Sequence, residues 1–286
     1  MDCRQYNHRL FFNFALAILT LTGCAPQIQK PMRVCPSAES ATDLLSLLSS
    51  RLQNAVPFKA NGQCSLQYYD EGKPHKENFP VKLWVNPPVE IYLQGDIAFN
   101  AKGLVLGSNE IEFWLSIRPK EVSGYWWGQW SEAGGVEGLV ISPKVLLEAL
   151  GVVTLSEEDN WYLSSESGFD VLEERQGNAV IKKIYIDSRD CQIKRVEYFG
   201  NSSKALLVTE LSKYEKVAEG FSVPTIIEMV KCSKAGKEDF VRINLKSVKS
   251  VDFSEKLRNL LFARPEPQGF KNVYKIIDGN MIEQSQ

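Results

Sequence analysis

The side chain in this sequence with the clearest chemical assignment is a thiol. Cys24 follows Leu21-Thr22-Gly23, and ahead of it lie Arg4, Arg9 and an apolar run from Leu10 to Leu21 broken only by Asn13 and Thr20. A basic start, a short apolar run and small residues mark a cleavable export signal. The run is too short to span a bilayer comfortably, which takes roughly 20 apolar residues. The remaining reactive groups exclude more than they propose. Beyond residue 23 only His75 remains, in Glu71-Gly72-Lys73-Pro74-His75-Lys76-Glu77-Asn78, which reads as a polar loop between two strands, and a Ser-His-Asp site would have to use it. Cys35, Cys64, Cys191 and Cys232 are even in number and allow three disulfide pairings, with no two at a metal-ligand spacing. There is no Gly-x-Ser-x-Gly elbow, phosphate-cradling glycine loop or His-Glu-x-x-His element. The carboxylates are numerous, but no spacing singles out a catalytic pair, and solvated surface carboxylates are the default. No catalytic residue, metal site or cofactor is expected.

Leu21-Thr22-Gly23-Cys24 is similar to the lipobox of bacterial lipoprotein precursors. That match implies diacylglycerol on the Cys24 sulfur, removal of residues 1–23 and acylation of the new amino terminus. The alternatives are an ordinary signal that happens to contain a cysteine, or an uncleaved anchor. One acyl chain holds a protein only marginally, whereas two or three, at about 0.8 kcal/mol per buried methylene, hold it firmly. Cleavage leaves 263 residues with 31 basic and 34 acidic side chains, a charge of −3. Nothing in that balance implies nucleic acid or a strongly anionic surface as a partner. Ala25 follows the cysteine, and lacking aspartate there the chain resembles lipoproteins sent to the outer membrane. The expected location is therefore a bacterial membrane, the outer one facing the periplasm.

Positioning elements follow from periodicity. Residues 24–36 read as a proline-bearing tether, 37–278 as one domain and 279–286 as a tail. A helix is expected after Ser40, which caps it with Asp43 in a capping-box arrangement, while Ala41, Leu44, Leu45, Leu48 and Leu52 recur at helical spacing. A second runs from Ser142 and Pro143 to the stop at Gly151, with Val145, Leu146, Ala149 and Leu150 as its stripe; a third spans Ser254 to Leu261 with Leu257, Leu260 and Leu261. Most of the rest alternates with the period of a pleated strand. Strands are expected at Val81 to Val85, Glu90 to Ile97, Ile111 to Arg118, Gly124 to Trp130, Trp161 to Ser165, Val171 to Arg175 and Val180 to Asp187. Four more follow at Gln192 to Phe199, Ala205 to Tyr214, Val223 to Lys231 and Phe240 to Val248. One face of the sheet is expected to be buried and the other wetter. Long connections are read at 98–110 and 131–141. The other links, such as Asp187-Ser188-Arg189-Asp190, are short and rich in turn formers, which implies an antiparallel meander.

This succession resembles the LolA/LolB-like group of bacterial lipoprotein carriers and receptors. The resemblance is carried by the leucine-rich first helix, by Leu83-Trp84-Val85-Asn86-Pro87-Pro88-Val89-Glu90-Ile91-Tyr92-Leu93 and Asn109-Glu110-Ile111-Glu112-Phe113-Trp114-Leu115, and by the helix from Ser142 to Gly151. Ile184-Tyr185-Ile186-Asp187, Ile193-Lys194-Arg195-Val196-Glu197 and Val223-Pro224-Thr225-Ile226-Ile227 continue it. It implies a mainly β (α+β) fold, an incomplete antiparallel β-barrel wrapped around a few short helices, with an apolar cavity for acyl chains. A lipid anchor on the chain itself is closer to the receptor member than to the soluble carrier.

Independently of the resemblance, Leu83, Val85, Ile91, Leu93, Phe113 and Leu115 should face one way from neighbouring strands. They form either the lining of a lipid cavity or a core filled by the helices. Tyr125-Trp126-Trp127-Gly128-Gln129-Trp130 is either an interface patch or strand packing. The functional expectation is a non-enzymatic, lipid-anchored envelope protein that binds acyl chains of a lipid or lipoprotein. The alternative is a structural or protein-binding scaffold with no lipid inside. One geometric exclusion follows as well. If 192–199, 205–214 and 223–231 are consecutive antiparallel strands, Cys191 and Cys232 lie at opposite sheet ends, roughly 25 Å apart. Bridged Cα atoms lie within about 7 Å, so that pair is excluded.

Overall fold

In the computed structural model, the residues described are 35, 38–70, 73–97, 100–118, 123–132, 141–153, 155–156, 159–200, 204–232 and 238–284. Cys24 and the expected signal and tether segments therefore lie outside the described residues.

Three helices form where caps and stripes placed them. In α1 (Ala41–Gln53) the Ser40 hydroxyl accepts the Asp43 N–H, and the Asp43 carboxylate accepts the Ser40 N–H at 2.9 Å. Leu44 and Leu45 are buried. α2 (Pro143–Ala149) starts at the Ser142 cap and stops at Gly151, whose φ of +71° suits a residue without a Cβ. α3 (Glu255–Phe262) is capped by Ser254 and buries Leu261 and Phe262. Leu260 is turned outward instead, 75% exposed.

The strands are β1 (Phe58–Asp70), β2 (Lys73–Asn86), β3 (Glu90–Ile97), β4 (Asn100–Ser108), β5 (Glu112–Ile117), β6 (Gly124–Gln129), β7 (Trp161–Glu166) and β8 (Phe169–Gln176). They continue as β9 (Ala179–Asp187), β10 (Ile193–Phe199), β11 (Ala205–Ala218), β12 (Phe221–Cys232), β13 (Glu238–Ser250), β14 (Asn272–Ile277) and β15 (Asn280–Glu283). All join one sheet in the order β15-β14-β6-β5-β4-β3-β2-β1-β13-β12-β11-β10-β9-β8-β7. Every pairing is antiparallel except that of β14 with β6. The sheet does not close, and β7 and β15 are its edges. It is an incomplete, mainly antiparallel barrel around short helices, as expected.

Three local readings need correction. The connection read at 98–110 contains β4, which is buried along most of its length. Of the polar run read as a loop around His75, Lys73 to Asn78 belong to β2, while Glu71 and Gly72 lie outside the described residues: the β1–β2 ladder runs as far as Asp70 opposite Lys73, and His75 stacks on Tyr68. The stretch read as a tail contains β15. The strand order in the second half stands, with β10 paired to β11, β11 to β12 and β12 to β13.

The concave face carries the larger core, in which α1 and α2 meet residues from β1 to β4 and from β8 to β13. The outward face of β3 to β6 is covered too, contrary to the expectation of a wet side. Tyr92, Val105, Trp114 and Tyr125 pack beneath Leu261, Phe262, Phe270 and Val273. The Trp114 ring lies flat over Gly107, where an added Cβ would fall 2.4 Å from it. Ion pairs fasten this cover: Arg258 holds the buried Glu90 at 2.8 Å and Arg264 holds Glu112 at 2.7 Å.

Candidate functional site

The six residues expected to line a cavity share the concave face. Leu83 is opposite Leu93, Val85 opposite Ile91, Leu93 opposite Leu106, and Leu106 opposite Leu115; Ile91 and Phe113 flank Ser108. All six are buried. Leu83, Val85, Ile91, Leu93 and Leu115 belong to the continuous core against which α1 and α2 pack, and Phe113 lies against the Trp130 ring at 4.9 Å. α2 packs on β4 and fills this half of the groove.

An open cavity of about 370 Å³ lies in the other half. None of the six lines it. Its walls come from α1 (Leu48, Arg51), the end of α2 and the chain after it (Glu148, Leu150, Val153, Leu155), and strands β9 to β12 (Ile184, Ile193, Val196, Tyr214, Phe221). Gly151 turns left-handed and ends the helix, and beyond it Val152 enters the main core while Val153 and Leu155 line the cavity. Sequence reasoning passed over this half because each wall contributes only one to three apolar residues. The clearest sign in the sequence was the run Val152-Val153-Thr154-Leu155 just beyond the glycine stop, apolar residues with no strand or helix of their own to bury them.

Polar groups gather at one end of the cavity. Glu148 of α2 accepts a hydrogen bond from Tyr198 and stands 3.7 Å from Lys182, which also pairs with Glu174 at 2.8 Å. Glu174, Lys182 and Tyr198 form one cross-strand row on the concave face. Burial alone would depress the Lys182 ammonium, but Glu148 and Glu174 beside it raise it above its ordinary value. Burial and Glu148 together push the Tyr198 hydroxyl up, so it stays a donor. Every member of this network has a partner, which is the condition for a buried polar cluster to be tolerated.

The other polar end is the β9–β10 turn. Cys35 and Cys191 form a disulfide with Cα atoms 5.2 Å apart. Cys191 is left-handed, φ 58°, a conformation that costs a non-glycine residue and is retained where surroundings over-determine it. Here the disulfide holds its side chain, Asp187 O accepts its N–H at 2.8 Å, and its carbonyl accepts Arg51 Nη1 at 2.5 Å. Gln192 and Ile193, the next two residues, line the cavity, and the Ile193 carbonyl accepts the Tyr214 hydroxyl. Burial pulls the Arg51 guanidinium below its ordinary value and pushes the Tyr214 hydroxyl up. The pairing of Cys191 with Cys35 agrees with the exclusion of Cys232 as its partner. Cys64 is a free, buried thiol.

Tyr125 to Trp130 is strand packing. Tyr125 and Trp127 point outward, the Tyr125 hydroxyl donating to Pro265 O at 2.7 Å and Arg264 lying 4.4 Å over Trp127. Trp126 points the other way and stacks on Tyr274.

The chain's shape is that of known proteins. An outer membrane lipoprotein-sorting protein domain from Vibrio parahaemolyticus matches with a TM-score of 0.51 at 13% identity, over 77% of this chain and 97% of that one. The fold is LolA-like. A DUF1329 family protein from Desulfovibrio piger matches with a TM-score of 0.50 at 12% identity, over 75% and 95% of the two chains. A LolA superfamily protein from Nitrosomonas europaea has a TM-score of 0.49 at 13% identity. No protein-family model and no curated protein matches the sequence. The LolA-like fold fixes the architecture; the chemistry must come from the cavity itself.

Proposed function

We propose that this chain is a non-enzymatic envelope protein, anchored by lipid on Cys24, that holds an acyl chain of a lipid or lipoprotein in its concave cavity for transfer or envelope assembly. The observation that carries the reading is the cavity between α1, α2 and β9 to β12. Its volume, about 370 Å³, falls within the roughly 300–1,000 Å³ of small-molecule sites. Leu48, Leu150, Val153, Leu155, Ile184, Ile193, Val196 and Phe221 supply apolar wall, Arg51, Gln192 and Tyr214 supply polar groups beside the β9–β10 turn, and Glu148, Lys216 and Glu219 supply charged ones elsewhere on the lining. That division suits an amphiphile with its chain inside and its polar end near the β9–β10 turn. Each methylene withdrawn from water stabilises the complex by about 0.8 kcal/mol. The cavity is also open, so a bound chain is less fully enclosed than in a bilayer, as release requires. The LolA-like fold, shared with a lipoprotein-sorting domain, supports the same reading.

The test is mass spectrometry of organic extracts from the gently purified full chain and from Ile193→Glu. Acyl lipid should accompany the parent and be lost from the variant, with circular dichroism still showing a folded β protein, because an unpaired carboxylate is strongly disfavoured against an acyl chain. Absence of lipid from the folded parent would favour the scaffold alternative.

A further inference from the structure

α3 packs on β3 and β4 and leaves outward-facing residues of β13, β1 and β2 in solvent. Four exposed lysines stand there: Lys59, Lys82, Lys246 and Lys249. None has a carboxylate partner among the described residues. Lys59 is directly opposite Lys249 in the β1–β13 ladder, an arrangement that destabilises a sheet when nothing intervenes between the charges. Lys82 lies on the other flank, opposite Asn61. The register slips between Asn61 and Gly62, leaving Lys246 outside the ladder as the bulged residue. A groove of about 380 Å³ opens over this bulge, and Asn61, Gln63, Lys82, Gln94, Lys246 and Ser247 are on its walls. Only glycine fits at 62, since a Cβ there would fall 2.1 Å from Asn244 O. One acid borders the groove, Asp96, and its Oδ1 already accepts the Lys102 N–H at 2.9 Å and Gln94 Nε2 at 3.4 Å. In a chain with a net charge of −2, this is a local cationic surface, four lysines against the single carboxylate of Asp96.

We propose that this convex-face groove binds the phosphorylated headgroup of an anionic lipid. Lysine ammoniums act as point charges for phosphate. The side chains of Asn61, Gln63 and Ser247 offer hydrogen bonds to the hydroxyl oxygens of a glycerol or sugar headgroup. A lipid surface fits better than a free anion, because the four lysines spread over three strands about 4.8 Å apart and cover more area than one phosphate. The site is separate from the concave cavity and does not depend on what that cavity holds.

The test is calorimetric titration of the full chain, in a neutral detergent, with dihexanoylphosphatidylglycerol, dihexanoylphosphatidylcholine and inorganic phosphate. The anionic lipid should bind and the zwitterionic one should bind far more weakly. Lys82→Gln with Lys246→Gln should weaken the anionic lipid about thirtyfold, roughly fivefold per lysine, with the effect shrinking as salt rises. Ile193→Glu should leave this binding unchanged, which separates failure here from failure of the cavity reading. No binding of the anionic lipid, equal binding to the double variant, or equal binding of the two lipids would overturn the proposal. Inorganic phosphate binding as tightly as the lipid would overturn its lipid part.

Discussion

Cys64 shows what a single side chain's surroundings decide. It sits within β1, buried in the main core, and burial pushes its thiol up to about 12 from an ordinary 9.0. The thiolate is the reactive form, so iodoacetamide at pH 8 should label Cys64 only after denaturation, as read by peptide mapping. Labelling of Cys64 in the native chain would contradict the placement. The sign for stability follows. An acid whose folded pKa is raised favours folding fully below its unfolded pKa, and that contribution is lost as pH climbs from about 9 towards about 12. At this scale much was legible. Ser40, Asp43, Ser142 and Gly151 do what their positions announced, because caps and stops are local chemistry. Trp114 and Tyr92 were not legible as core, since alternation shows that one face is apolar but not whether a distant helix covers the other.

Among elements, Cys35 is joined to the β9–β10 turn by a covalent bond across a sequence separation of 156 residues. Chain-entropy reasoning for so long a loop gives up to about 5 kcal/mol of stabilisation. Cys35→Ser should therefore lower the urea midpoint of unfolding and steepen the slope of the transition, because the unlinked denatured chain exposes more surface, and an unaltered midpoint would refute that estimate. Most strands were legible because one buried face imposes period two. β4 was missed for the converse reason: Leu104-Val105-Leu106-Gly107-Ser108 is buried on both faces, so it reads as an apolar run after a polar, glycine-bearing start. β14 was missed because it joins the sheet in parallel beside β6, far from its neighbours in sequence. The cavity was legible in kind but not in place. Strands β2 to β5 carry the strongest alternation, and that is the half α2 fills.

For the whole molecule, attachment is tested by one substitution. Cys24→Ser should abolish palmitate incorporation and leave the precursor uncleaved, and labelling that survives would refute the anchor. No described helix is long and apolar enough to cross a membrane. In a chain lipidated at Cys24, the disulfide acquires a second consequence, which is geometric. Eleven Cα–Cα steps join Cys24 to Cys35, so the leash is at most about 40 Å long. Its fixed end is bonded to Cys191, immediately before two residues of the cavity wall. Encounter between the opening and the anchoring bilayer is then intramolecular, governed by a local concentration in the millimolar range that dilution of the protein leaves unchanged. Lengthening the leash with glycine and serine should slow lipid exchange with that bilayer while leaving capture from a second membrane unaffected, a difference measurable with fluorescent lipid in donor and acceptor vesicles.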